Sequence, residues 1–195
     1  MDVMIDLETL GTSHNALILS AGFLRFDPQN CQQTFEDLLR ETSHIVVNLA
    51  ASYEDVCAPG IREYGNGGQI NMQTLTWHLS QLPAFSSDQL TKIADLRTML
   101  QYIGCLFPSG NDFPERVWAN APSFDLAILK NAYSRDAVPW KFFQERDVRT
   151  LLDAANIDKR QKEWLPNGLI KHRADHDAAW QAWLVQQAWA RLWPL

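Results

Sequence analysis

The sequence predicts an α/β protein built on a mixed β-sheet flanked by α-helices. Three observations carry that prediction. Short apolar runs with β-branched residues cluster in the first 50 residues, helical apolar patterns follow from residue 71, and short strands alternate with helices from residue 116 onward. Strands first, then strand and helix in alternation, is the pattern of a sheet packed between helical layers. At 195 residues the chain fits one domain, expected to run from residue 1 to 195.

Residues 3–7 read as a buried strand, being short, apolar and partly β-branched. Gly11-Thr12-Ser13-His14-Asn15 is a turn-rich loop. Residues 17–26, closed by Asp27-Pro28, form a second strand, and residues 43–49 a third around Ile45-Val46-Val47. The three predict a meander with the first strand at or near the sheet centre. Residues 50–71 are irregular, broken by Pro59-Gly60 and Gly65-Asn66-Gly67-Gly68. Asn71 is placed to cap a short helix carrying Leu75, Trp77 and Leu79, ended near Pro83. Ser86-Ser87-Asp88 offers caps for a longer helix whose face is Leu90, Ile93, Arg97, Leu100 and Gly104. Residues 116–119 are a short strand, and Pro122-Ser123 opens a helix through Tyr133. Residues 142–148 hold a strand, Leu151-Leu152 lie on a helix, and residues 159–171 are a polar loop. A final helix covers residues 174–193, with Ala178, Ala182, Val185, Trp189 and Leu192 as its core stripe. Trp180, Trp183 and Trp193 fall partly off that stripe. They either complete a wide core or form a patch for a homodimer.

Hydrophobic residues make up 46% and charged residues 21%, ordinary values for a globular protein. No apolar run approaches the roughly 20 residues that span a bilayer, so no membrane partner is expected. Acidic residues interrupt the N-terminus where a signal peptide would be apolar. Three unpaired cysteines, Cys31, Cys57 and Cys105, read as reduced thiols. A cytoplasmic protein is expected. The net charge of −6 argues against a grip on duplex DNA through a basic surface. Residues 1–100 hold 5 basic and 12 acidic side chains, whereas residues 101–195 hold 12 and 11. A nucleic-acid track therefore belongs to the second half, with Lys130, Arg135, Lys141, Arg146, Arg149, Lys171 and Arg173 as candidates or as solvated surface charges.

Asp6 and Glu8 are two apart on a strand, so both carboxylates point to one face. Asp125 follows Phe124 where a strand gives way to a helix, and His172 stands five residues before Asp177 at the start of the last helix. Each motif alone has a plainer reading: an exposed strand edge, or a helix-start carboxylate favoured by the dipole. Together, four carboxylates in one cleft need neutralising, and hard oxygen ligands favour Mg²⁺ or Mn²⁺. His172 in a loop and Asp177 on a rigid turn suit a mobile base and a fixed ligand. A zinc reading of His172 with His176 fails because Arg173 stands where a metalloprotease needs Glu. His176 is then a surface or supporting residue.

In this order, Asp6-x-Glu8, Phe124-Asp125 and His172-x4-Asp177 resemble the DnaQ-like, or DEDDh, 3′–5′ exonuclease superfamily. Ile5-Asp6-Leu7-Glu8-Thr9-Leu10-Gly11-Thr12, Thr74-Leu75-Thr76-Trp77, Val117-Trp118-Ala119-Asn120-Ala121-Pro122-Ser123-Phe124-Asp125, Pro139-Trp140 and Arg146-Asp147-Val148-Arg149-Thr150 are similar to one bacterial and phage subgroup. That subgroup contains a mycobacterial 3′–5′ exoribonuclease and a T-even phage exonuclease. The chain departs from it at Ala119 and Ala121, where glycines are usual, at His78, where an aromatic is usual, and at His176, where an acidic residue is usual. The resemblance implies a ribonuclease-H-like sheet and a 3′–5′ exonuclease acting on single-stranded RNA or DNA 3′ ends. It implies two Mg²⁺ or Mn²⁺ ions on Asp6, Glu8, Asp125 and Asp177, His172 as the base, and nucleoside 5′-monophosphates as products. It further implies that Leu7, Thr9 and Leu10 cradle the terminal nucleotide, with Trp77, Asn120 and Phe124 against its base or sugar. Two rivals stay open: a relic domain that binds nucleic acid or protein, and a phosphodiesterase of very short oligonucleotides.

Overall fold

A computed structural model describes residues 1–49, 71, 73–74, 76–77, 91–133 and 138–194. Strand β1 (Asp2–Thr9) pairs antiparallel with β2 (Ile18–Phe26), and β2 antiparallel with β3 (Ser43–Val47). Strand β4 (Thr91–Ala94) joins parallel to β3. On the other side of β1, β5 (Val117–Ala119) lies parallel to β1 and β6 (Glu145–Asp147) parallel to β5. The sheet order is β4-β3-β2-β1-β5-β6, so β1 is central, as its uninterrupted burial requires. The mixed sheet is flanked by helices α1 (Phe35–Glu41), α2 (Leu96–Gly104), α3 (Asp125–Ala132), α4 (Val148–Ala154) and α5 (Ala174–Leu192). This is an α/β fold of the ribonuclease-H-like kind.

Alternation along β1 splits its side chains between two cores. Val3, Ile5 and Leu7 join Phe23 and Ile45 against Met99 and Ile103 of α2 and Leu126 and Leu129 of α3. Met4 faces the other way, with Leu24 and Phe26, against Leu38 of α1, Val148 and Leu152 of α4, and Ala178, Ala182 and Val185 of α5. Each fully buried side chain of this size contributes about 1.5–3 kcal/mol. Trp180 and Trp183 complete the second core, Trp183 packing 6.0 Å from Trp164, while Trp193 is exposed.

The small residues of α5 let it lie close on the sheet. The closest approach is at Gly22, the cross-strand partner of Asp6. A Cβ there would stand 2.0 Å from the Ala174 carbonyl oxygen. Only glycine fits, which is a common reason for glycine inside a strand. Gly22→Ala is expected to cost about 1–3 kcal/mol by overpacking. A thermal melt should then fall by several degrees. An unchanged melting temperature would contradict this contact.

Three features depart from the predicted elements. Helix α1 interrupts the expected meander between β2 and β3. Its signal is a capping box: the Asp37 N–H donates to Thr34 Oγ1 (3.2 Å), and the Thr34 N–H donates to Asp37 Oδ2 (3.1 Å). Ile93 lies on β4 rather than on a helix, because residues 91–94 pair with β3. The following helix is capped by Asp95, whose Oδ1 accepts the Thr98 N–H at 2.6 Å. The Ser86-Ser87-Asp88 caps lie outside the described residues. The sixth strand is shorter than expected, since Phe142–Gln144 is a 3₁₀ turn. Asn71 does cap a helix: its Oδ1 accepts the N–H groups of Gln73 (2.9 Å) and Thr74 (3.1 Å).

Candidate active site

Four carboxylates from three parts of the chain meet at the carboxyl ends of the parallel strands β1 and β5. Asp6 and Glu8 share a face of β1 and are both buried. The β1–β5 ladder covers only Val3 and Met4. Farther along, the Leu7 N–H donates instead to Asp125 Oδ1 at 3.3 Å. Asp125 is thereby tied to the strand between Asp6 and Glu8. It opens α3, where the Phe124 and Asp125 N–H groups both donate to the Ala121 carbonyl (2.8 and 3.0 Å). The pairing of β1 with β2 shifts register between Glu8 and Thr9, as bulges beside active sites do.

The fourth carboxylate comes down from α5. Asp177 sits on its first turn, and its Oδ2 accepts the His172 N–H at 2.8 Å. His172 holds a left-handed backbone, φ 61°. That conformation is uncommon outside glycine, asparagine, aspartate and histidine. The start of α5 is pinned by a buried cluster. Arg173 Nε and Nη2 donate to Asp175 Oδ1 and Oδ2 (2.8 and 2.9 Å), and His44 Nδ1 of β3 lies 3.6 Å from Asp175 Oδ1. His176 is buried rather than exposed; its Nδ1 accepts the Ile170 N–H at 3.2 Å and steadies the loop that carries His172. One turn beyond Asp177, Gln181 Nε2 donates to Asp6 Oδ1 at 2.7 Å.

The four carboxylates, His172 and Gln181 line a cleft of about 440 Å³ with Leu7, Asn120, Ala121, Phe124, Lys159, Arg160, Lys171 and Trp180. Thr9 and Leu10 adjoin it without lining it. Thr9 Oγ1 donates to the Gly11 carbonyl (2.7 Å), and the Leu10 N–H donates to the Leu17 carbonyl (2.8 Å). Trp77 meets the site through His172, edge-on with ring centroids 4.6 Å apart. Among the expected basic residues, Lys171 lines the cleft. Arg149 lines a neighbouring cleft, close enough for its charge to favour ionised Asp125. Lys130 is paired with Glu145 (2.5 Å), Arg146 Nη1 donates to the Phe143 carbonyl (2.7 Å), and Arg173 is buried on Asp175. Arg135 lies outside the described residues.

Crowding these carboxylates out of water raises their pKa values. Burial, then repulsion from Asp177, Asp125 and Glu8, pushes Asp6 well above the carboxylate range. Burial, then Asp177 and Asp125, raises Glu8 to about 8. Burial raises Asp125 to about 7 against the Leu7 N–H bond, and Asp177 to about 6 against the His172 N–H bond. The pattern is that of a site built for added positive charge. Ligand-capable atoms of Glu8, His172 and Asp177 all lie within 4.8 Å of one another. With Asp6 and Asp125 lining the same cleft, the carboxylates supply hard oxygen donors, so the donor set fits a divalent cation.

These shifts fix a pH dependence. A raised carboxyl favours the fold in its neutral form, a contribution complete below about pH 4 and lost as pH rises through the folded pKa. Without divalent ions, the melting temperature is expected to fall from about pH 4 and to level off by about pH 8, the folded values of Asp177, Asp125 and Glu8 setting the upper part of that range. Saturating Mn²⁺ should remove most of that fall. A flat profile in chelator would show that the carboxylates do not repel one another.

Sequence reading missed two polar residues here. Gln181 had a weak signal, being one helical turn from Asp177. Lys159 had none, since its place in a polar loop matches any surface lysine. Its Nζ donates to Asn120 Oδ1 at 2.6 Å and stands 5.4 Å from the Trp180 ring centroid. Burial lowers the Lys159 pKa, while the charges of Asp177 and Asp6 favour its ammonium. Among the described residues it forms no direct ion pair with the four carboxylates.

Comparison with known proteins agrees with this geometry. The model of the 3′–5′ exoribonuclease Rv2179c-like domain family matches residues 1–189. The exodeoxyribonuclease of Enterobacteria phage T4 is 24% identical over 205 residues, covering 91% of this chain and 84% of the phage protein. Among the described residues no helix is long and apolar enough to cross a membrane. The chain belongs to the Rv2179c-like 3′–5′ exoribonuclease domain family, and is a 3′–5′ exonuclease acting on nucleic acid.

Proposed function

We propose that residues 1–195 form one exonuclease domain that removes nucleoside 5′-monophosphates from the 3′ ends of single-stranded RNA or DNA. Asp6, Glu8, Asp125 and Asp177 hold two Mg²⁺ or Mn²⁺ ions, and His172 is the base. The observation that supports this reading is the meeting of four carboxylates with raised pKa values in one cleft. Bound divalent ions there neutralise the carboxylates, polarise the phosphate and lower the pKa of water. The rest is supplied by the chain. Gln181 fixes the Asp6 carboxylate through Oδ1, and the Leu7 N–H fixes that of Asp125. His172, exposed at the cleft and steadied by its N–H bond to Asp177 and by Trp77, accepts the proton of water. Phe124 offers its ring, Leu7 a buried wall and Asn120 a side-chain amide to the terminal nucleotide, with Thr9 and Leu10 supporting the strand end behind them. Free Cys31 and Cys105 suit the reducing cytoplasm.

Both sugars are included because the family is described by ribonucleic acid and the phage relative by deoxyribonucleic acid. The test is digestion of matched RNA and DNA oligomers, labelled at the 5′ end, with Mg²⁺, Mn²⁺ or chelator. Stepwise shortening from the 3′ end, metal-dependent and yielding 5′-monophosphates, is expected. Internal cuts, shortening from the 5′ end, or full activity in chelator would refute the reading.

A further inference from the structure

The acidic cleft shares part of its lining with another. A second cleft of about 420 Å³ adjoins it, and the residues lining both are Lys159 and Arg160. The second cleft has an apolar part from Leu152 and Ile157, and its charged wall includes Arg149 and Asp153. Arg160 is already occupied: its Nε and Nη2 donate to Asp158 (2.8 and 3.1 Å), and it is largely exposed. Lys159 is different. It is half-buried, and its Nζ is held between the Asn120 side-chain Oδ1 at 2.6 Å and the Trp180 ring at 5.4 Å.

Fixing a lysine in this way costs rotamer entropy and solvation, and among the described residues no ion pair is formed in return. An ammonium has three donors. One goes to Asn120, which leaves others for an acceptor at the junction of the clefts. A strand entering the carboxylate cleft is itself anionic at every phosphate. It must approach four carboxylates in a protein of net charge −6. A terminal nucleotide in the first cleft leaves the rest of the strand to run onward, and among the described residues the second cleft, which shares Lys159 and Arg160 with the first, offers a path.

We propose that Lys159 binds the phosphate one nucleotide upstream of the scissile one, and that the strand leaves over it into the second cleft. Lys159 is then a specificity-determining residue: it selects substrates that carry a phosphate on the penultimate nucleotide. The inference rests on the exonuclease reading above, because it takes the scissile phosphate to lie among the four carboxylates.

The test compares two dinucleotides that differ only in a 5′-phosphate on the first residue. The wild-type protein should favour the phosphorylated one by about tenfold in kcat/KM, the scale of one charged hydrogen bond. In Lys159→Gln that preference should collapse towards one, and in Lys159→Arg most of it should return. The same ratio is read without turnover in the Asp6→Asn protein, with and without Lys159→Gln, by binding of each dinucleotide followed through tryptophan fluorescence. Longer single strands should show a log affinity against log salt slope reduced by about 0.7 in Lys159→Gln. A 5′-phosphate preference that survives Lys159→Gln, in turnover and in binding, overturns the proposal. So does a wild-type protein with no preference. Failure of the exonuclease reading looks different: neither dinucleotide is cleaved, while the binding ratio still reports on Lys159.

Discussion

Asp6→Asn is expected to abolish hydrolysis and, in chelator at pH 8, to raise the melting temperature. The two effects have one cause. Asp6 is buried at the floor of the cleft, and its carboxyl is pushed upward by burial and by Asp177, Asp125 and Glu8. Asparagine has the same shape and keeps an oxygen for the Gln181 N–H, now 2.7 Å from Asp6 Oδ1. It removes the charge alone. The fold loses a repulsion, so stability rises. The gain should shrink as pH falls, because the raised Asp6 carboxyl then takes up its proton and loses its charge. Catalysis loses a ligand of the divalent ions, whose charge stabilisation is worth several kcal/mol. That corresponds to a rate loss on the order of 10³-fold or more. Melting curves from pH 5 to 8 and single-turnover digestion check both halves. Substantial residual activity would remove Asp6 from the ligand set. A lower melting temperature in chelator would remove the repulsion argument.

His172→Asn is expected to slow hydrolysis by about 10²–10⁴-fold, the range for a lost general base, while Mn²⁺ affinity is retained. Asparagine is chosen because His172 has φ 61°, a conformation that asparagine adopts readily and alanine does not. The N–H bond to Asp177 Oδ2 at 2.8 Å can then persist, so the carboxylate keeps its position. The distinction matters because His172 presents a nitrogen within 4.8 Å of atoms of Glu8 and Asp177. A histidine that were itself a ligand would lose metal affinity on substitution. Rapid-quench kinetics at saturating Mn²⁺, with affinity measured separately, separates the roles. Full rate across neutral pH would refute the base assignment, and a large loss of affinity would make His172 a ligand.

The residues that meet in the cleft were legible where local geometry decides direction. Strand alternation placed Asp6 and Glu8 on one face, and the break before residue 174 placed His172 in a loop and Asp177 on the first helical turn. Legibility stopped where tertiary contact decides. Ile93 has helical spacing to Arg97 and Leu100 but lies on β4, because pairing with β3 outweighs local periodicity. Arg173 looked like a cation for nucleic acid and is instead buried on Asp175. Lys159 looked like any loop lysine, and its place beside Asn120, 39 positions away, is set by tertiary contact alone. Gly22 carries no signal of the helix backbone that presses on it from Ala174.

The most direct measurement is calorimetric titration of the protein with Mn²⁺ at pH 7 in buffers of different ionisation enthalpy. Saturable binding is predicted, with release of protons from groups such as Glu8 and Asp125, whose pKa values stand at about 8 and about 7. Asp6→Asn should weaken that binding sharply. Absence of saturable heat, or binding that Asp6→Asn leaves untouched, would contradict the claim that these four acids form one cation-holding centre.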